Sequence, residues 1–219
     1  VLSQAVNLGL SYPTQLKNLL TPAYPTQSIE VINSGVSGEQ AVDGVLRFPK
    51  ALQARPDVVL LLEGFNDISL KLLVRPTISS SAVDVTSIAA NLRAMVRAAE
   101  SRGAEVLLAT LPPIKDAREL TEPGRKASIQ ALNREIRRMS FTRGNGGVID
   151  LYAAMNSRVG LIGNDGAHPT AAGYQVMAEV FFQEIVNRFD ITPRAQAFRS
   201  FSPGISNNPK PTGFEIQFP

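Results

Sequence analysis

The chain of 219 residues contains no cysteine and only one histidine. Without cysteine there are no disulfides, no thiolate nucleophile and no thiolate metal site. A metal would have to rest on carboxylates, and no acidic cluster suggests such a site. No metal and no other cofactor is therefore expected. Long apolar runs are also lacking. None approaches the roughly 18 residues that a membrane span needs, and no signal-peptide pattern is visible. Charge of one sign is scarce: the net charge is +3 and no block of like charges occurs. Nucleic acid is therefore not an expected partner. The densest basic stretch, Arg134, Arg137 and Arg138, reads as the solvated face of a helix. The missing cysteines leave the compartment open, and nothing in the composition fixes an oligomeric state.

What is present describes a globular chain. Hydrophobic residues make up 44% and charged residues 19%, a balance that supports a packed core in one domain of ordinary size. Strand and helix patterns alternate. Ser28 to Asn33, Val58 to Leu62, Glu105 to Thr110 and Val148 to Asp150 read as strands. The run Val58 to Leu62 is apolar throughout, as expected of a strand buried on both faces. Helical periodicity covers Tyr12 to Leu20, Val83 to Arg102, Lys126 to Met139 and Thr170 to Phe189. The second of these places Val85, Ile88, Ala89, Leu92, Met95, Val96 and Ala99 on one stripe. Buried parallel strands separated by helices predict a three-layer α/β/α domain over residues 1–191. Residues 192–219 differ, with Pro193, Pro203, Pro209, Pro211 and Pro219, and read as an irregular tail. Phe214, Ile216 and Phe218 alternate with polar residues, which predicts an edge strand there.

In open α/β sheets ligands bind beyond the carboxyl ends of the strands. Three of the four strands lead to Gly, Asn, Asp or His. The first runs into Gly35-Val36-Ser37-Gly38, the second into Glu63-Gly64-Phe65-Asn66-Asp67, and the last, through a helix, reaches Asp165-Gly166-Ala167-His168-Pro169. The imidazole of His168 is the one side chain here with an ordinary pKa suited to proton transfer near neutrality. Asp165 precedes it by three residues, close enough for its carboxylate to hold one ring nitrogen and stabilise the imidazolium. Equally, Asp165 could simply make a turn ahead of a surface histidine. The Asn66 amide and the Gly38 N–H are the two kinds of donor that build an oxyanion hole. The plainer alternative is that Asn66-Asp67 caps a turn and that Gly35 and Gly38 supply positive φ.

Taken in order, these blocks resemble the SGNH/GDSL family of serine ester hydrolases. The resembling blocks are Asn33-Ser34-Gly35-Val36-Ser37-Gly38, Gly64-Phe65-Asn66-Asp67 and Asp165-Gly166-Ala167-His168-Pro169. Tyr12-Pro13 before the first strand and Thr170-Ala171-Ala172-Gly173-Tyr174 after the histidine are similar as well, so the likeness spans Ser11 to Phe189. The resemblance implies a flavodoxin-like sheet and hydrolysis of small-molecule esters or thioesters through an acyl-enzyme. His168 would be the base, Asp165 its orienter, and Gly38 and Asn66 the oxyanion donors. It is compatible with a periplasmic or secreted protein. The alternative is a non-catalytic module that holds a glycan or acyl ligand in the same pocket.

One block departs from the family. Gly-Asp-Ser, which would carry the nucleophile, occurs nowhere in the 219 residues. Ser3 is nearest in position and reads as a loop residue, while Ser34 and Ser37 belong to the Gly38 loop. The nucleophile is expected upstream of Val1, in a longer protein of which this chain is a fragment. In the order 2-1-3-4-5 the first strand is internal. Its absence predicts unpaired backbone groups between the strands at Ser28–Asn33 and Val58–Leu62.

Overall fold

A computed structural model describes residues 10–74, 83–121, 123–189 and 213–217; of 70–74, 121 and 213–217 it describes the backbone alone. Ser3, Phe218 and the tail from Thr192 to residue 212 lie outside the described residues. In chain order the elements are α1 Tyr12–Ala23, β1 Glu30–Asn33, α2 Ala41–Ala51, β2 Val58–Leu61, α3 Phe65–Val74, α4 Val85–Glu100, β3 Glu105–Ala109, α5 Asp116–Thr121, α6 Arg125–Arg137, β4 Gly147–Ile149, α7 Leu151–Met155, α8 Ala171–Phe189 and β5 Gly213–Gln217.

The apolar run of β2 is buried at every position, and β3 is buried from Val106 onward. Such strands need helices on both faces, and they have them. On one face α4 packs against α2 and α6, with α3 on α6; α8 packs against α1 and α7. The predicted stripe of α4 is buried from Ile88 to Ala99. Its start is set by Asp84, whose Oδ1 accepts from Ser87 N at 2.9 Å, an ordinary N-cap. On α6, Ile129, Leu132 and Ile136 are buried. Asn133 ties α6 to the end of β3, donating to Leu111 O at 2.9 Å and accepting from Leu111 N at 2.8 Å. On the other side Tyr12 stacks on Phe181, ring centroids 5.3 Å apart, joining the start of α1 to α8.

The sheet is parallel throughout, in the order β1-β5-β2-β3-β4. This corrects the expectation of an edge strand in the tail and of unpaired groups between β1 and β2. The backbone of β5 lies between those strands. Glu30–Asn33 pair with Gly213–Ile216, and Val58–Leu61 pair with Phe214–Gln217. The reason is backbone pairing. An edge position satisfies one row of N–H and C=O groups, whereas the gap satisfies both rows of the inserted strand and one row of each neighbour. The alternation of apolar residues that suggested an edge is a weaker influence than that.

Candidate active site

Two clusters form at the carboxyl ends of the strands. The first joins the loop after β1 to the turn after β2. Gly38 has φ of 79°, a left-handed conformation that a residue with a Cβ adopts only with strain. Gly35 is not in that region, so only one of the two glycines fits the turn role. The Asn66 Nδ2 donates to Glu39 O at 2.9 Å, and Asp67 Oδ2 accepts from Ala41 N at 2.9 Å. Asp67 thus supplies one of the free N–H groups at the start of α2 with an acceptor. Asn66 fixes the residue next to Gly38. An amide nitrogen carries two hydrogens, and Asn66 holds the loop with one of them. Glu39 is itself clamped by Arg47, with Nε–Oε1 at 2.8 Å and Nη2–Oε2 at 2.7 Å.

The second cluster is the turn before α8. His168 Nδ1 lies 2.5 Å from Asp165 Oδ2. Asp165 Oδ1 accepts from Ala167 N at 3.0 Å and His168 N at 3.1 Å. Partial burial would push the Asp165 pKa up. The bonds from the Ala167 N–H, the His168 ring and the His168 N–H outweigh it and hold the group below the ordinary carboxylate value. The His168 side chain is 66% exposed. Tyr174 lies close enough for the charge of Asp165, after burial, to push the phenol's pKa up.

The turn is anchored from both sides. Gly163 N donates to His168 O at 2.7 Å, Thr170 N to Leu161 O at 2.8 Å, and Thr170 Oγ1 accepts from Gly173 N at 3.1 Å, capping α8. A Cβ on Gly173 would stand 2.1 Å from Leu161 O and 2.9 Å from Pro169 Cβ. Gly173→Ala is therefore expected to destabilise the chain by about 1–3 kcal/mol, lowering Tm by roughly 2–4 °C for each of those kcal/mol. A thermal melt checks this, and an unchanged Tm would mean that α8 does not start against Leu161.

Contacts run from one cluster towards the other. Lys115 N, after β3, donates to Gly166 O at 2.9 Å. Arg118 Cβ on α5 approaches the Gly166 backbone. Arg125, buried at the start of α6, lies 5.6 Å from the ring centroid of Phe65, the neighbour of Asn66. Burial, with the positive charge of Arg118 nearby, pulls the Arg125 pKa down to about 10. Sequence reasoning missed the Glu39–Arg47 clamp and the buried Arg125, since both depend on contacts distant in the chain. A recess lined by Leu52, Gln53, Arg55, Pro56, Arg102 and Ala104 lies at the opposite, amino ends of β2 and β3 and includes none of the candidate residues.

Comparison with known proteins identifies the family to which this parallel α/β/α domain belongs. Residues 3–176 match the profile of the GDSL-like lipase/acylhydrolase family. The chain belongs to that family and is a hydrolase of the esterase/lipase type. It is 27% identical over 184 residues to the acetylxylan esterase of Geobacillus stearothermophilus, covering 81% of this chain and 82% of that protein. The solved structure of that esterase has a TM-score of 0.64 at 23% identity, covering 80% of each chain. It has also been solved as catalytic mutants at a serine, an aspartate and a histidine. The lipase/acylhydrolase of Enterococcus faecalis is 29% identical with a TM-score of 0.62, over 79% of this chain and 85% of its own.

Proposed function

We propose that the chain hydrolyses esters or thioesters of small molecules through an acyl-enzyme. His168 acts as general base and then acid, and Asp165 orients it. Gly38 N–H and the second Asn66 amide hydrogen stabilise the tetrahedral oxyanion. The observation that carries this reading is the 2.5 Å contact between Asp165 Oδ2 and His168 Nδ1 on an exposed turn. Engaged through Nδ1, the ring has its tautomer fixed and keeps Nε2 for the reacting proton. Membership of the family and the acetylxylan-esterase relative support ester chemistry, and they make acetylated xylooligosaccharides the first natural substrates to try. None of the 219 residues is assigned as nucleophile.

The purified chain is expected to turn over p-nitrophenyl acetate no faster than its His168→Ala variant, and a fluorophosphonate is expected to label neither Ser34 nor Ser37. His168-dependent turnover together with labelling of Ser3, Ser34 or Ser37 would relocate the nucleophile into this chain. In a form that carries a nucleophile, Asn66→Ala is expected to reduce turnover by roughly 10²–10³, the usual size for one oxyanion donor. Full activity of that variant would reduce Asn66 to a loop anchor.

A further inference from the structure

The mechanism above leaves the most deeply buried acid among the described residues unused. Glu63 follows β2, its residue is 0% exposed, and it precedes Asn66 by three positions. Its Oε1 accepts only a long bond, 3.3 Å, from Gly64 N. Its Oε2 is buried with no hydrogen-bond partner among the described residues. Arg47 makes two short bonds to Glu39, and its charge offsets only part of what raises the Glu63 pKa. The charged groups that act on Glu63 are Glu39 in the loop after β1, Arg47 on α2 and Asp67 on α3. Two of them are acidic, and these two belong to the residues that hold the oxyanion donors together. Glu39 O receives the Asn66 amide, and Asp67 receives Ala41 N.

We infer that Glu63 is a positioning residue for the oxyanion arrangement, holding the Gly38 loop and the Asn66 turn together only while its carboxyl carries a proton. This rests on the functional reading above and goes beyond it. A negative charge on the buried Glu63 would repel both Glu39 and Asp67, and away from bulk solvent the repulsion would be poorly screened. The protonated carboxyl places no such charge there. Burial, followed by the charges of Glu39 and Asp67, pushes the Glu63 pKa from 4.5 up to about 8, against the lowering effects of Gly64 N–H and Arg47. The sign is that of an acid with a raised folded pKa. Between 4.5 and about 8 the folded chain keeps a proton that the unfolded chain has lost. Stability therefore falls as pH rises through that window and levels off above it.

The experiment is NMR on the 219-residue chain from pH 5 to pH 10, which needs no ester and no nucleophile. The Glu63 side-chain carboxyl carbon is expected to titrate with a midpoint near 8. The Asn66 side-chain amide is expected to shift with the same midpoint. In Glu63→Gln the Asn66 amide should stay flat across the range while remaining in its low-pH position, because glutamine keeps the shape and the neutral state. A merely structural Glu63 would leave the Asn66 amide unmoved by pH. A Glu63 midpoint in the ordinary carboxylate range would overturn the inference. So would an Asn66 amide that ignores the Glu63 midpoint, or one that still titrates in Glu63→Gln. If Glu63→Gln does not fold, the paired titrations of the unsubstituted chain decide alone. Failure here leaves the esterase reading standing, since no turnover is measured.

Discussion

A chain extended upstream of Val1 by a β-strand ending in Gly-Asp-Ser is expected to hydrolyse p-nitrophenyl acetate, and to lose roughly 10⁴–10⁶-fold in turnover on His168→Ala. The size follows from how nucleophile and base act. Neither does much alone, so removing one removes nearly all that the pair supplies. Asp165→Ala should be milder, because an imidazole that is poorly oriented still accepts a proton. Placed between β1 and β2, the strand would present the serine at its carboxyl end, between the Gly38 loop and the Asn66 turn. That place is filled by β5, so the extension must displace it. Activity that survives His168→Ala would sink the assignment of the base. An extended chain that folds, is labelled by a fluorophosphonate at the new serine and yet hydrolyses nothing would sink the proposed constellation.

Removing residues 190–219 is expected to abolish cooperative thermal unfolding, because the cut takes out an internal strand. With β5 gone, Glu30–Asn33 and Val58–Leu61 lose their partners on the inner side. Leaving one buried donor or acceptor unsatisfied costs about 1–3 kcal/mol. A whole domain is stable by only about 5–15 kcal/mol, so a few orphaned groups are enough. Calorimetry of the shortened chain is the measurement. A cooperative melt at the same temperature would show that β5 contributes little to the folded unit. Adding the upstream strand to the shortened chain should restore the melt, since the gap accepts a strand from either end of the chain.

Local pattern foretold much of this molecule. The buried runs of β2 and β3 and the stripes of α4 and α6 are read from spacing alone, because each is dictated by its own residues facing a core. The Asp165–His168 pair was legible for the same reason: a carboxylate and an imidazole in one tight turn need little else to meet. Helix α2 was not foretold. Val42 and Leu46 on it are exposed, Pro49 lies inside it, and Phe48 is its one large buried apolar side chain. Nor was Glu63 foretold as a buried acid, because its surroundings come from Glu39, Arg47 and Asp67 on three other segments. The position of β5 depends on two strands more than 150 residues away in the sequence, which no local window contains.

The direction of β5 has a practical consequence for anyone handling the protein. The strand runs parallel to its neighbours and ends at Gln217, beside Leu61. A probe attached at the last residue of β5, such as a fluorophore, therefore sits in the middle of the sheet, at the end where Gly38 and Asn66 stand. Bulk added there would crowd the loops after β1 and β2. Labels intended to report on binding belong there, and labels intended to be silent belong elsewhere, for instance at the exposed Val159.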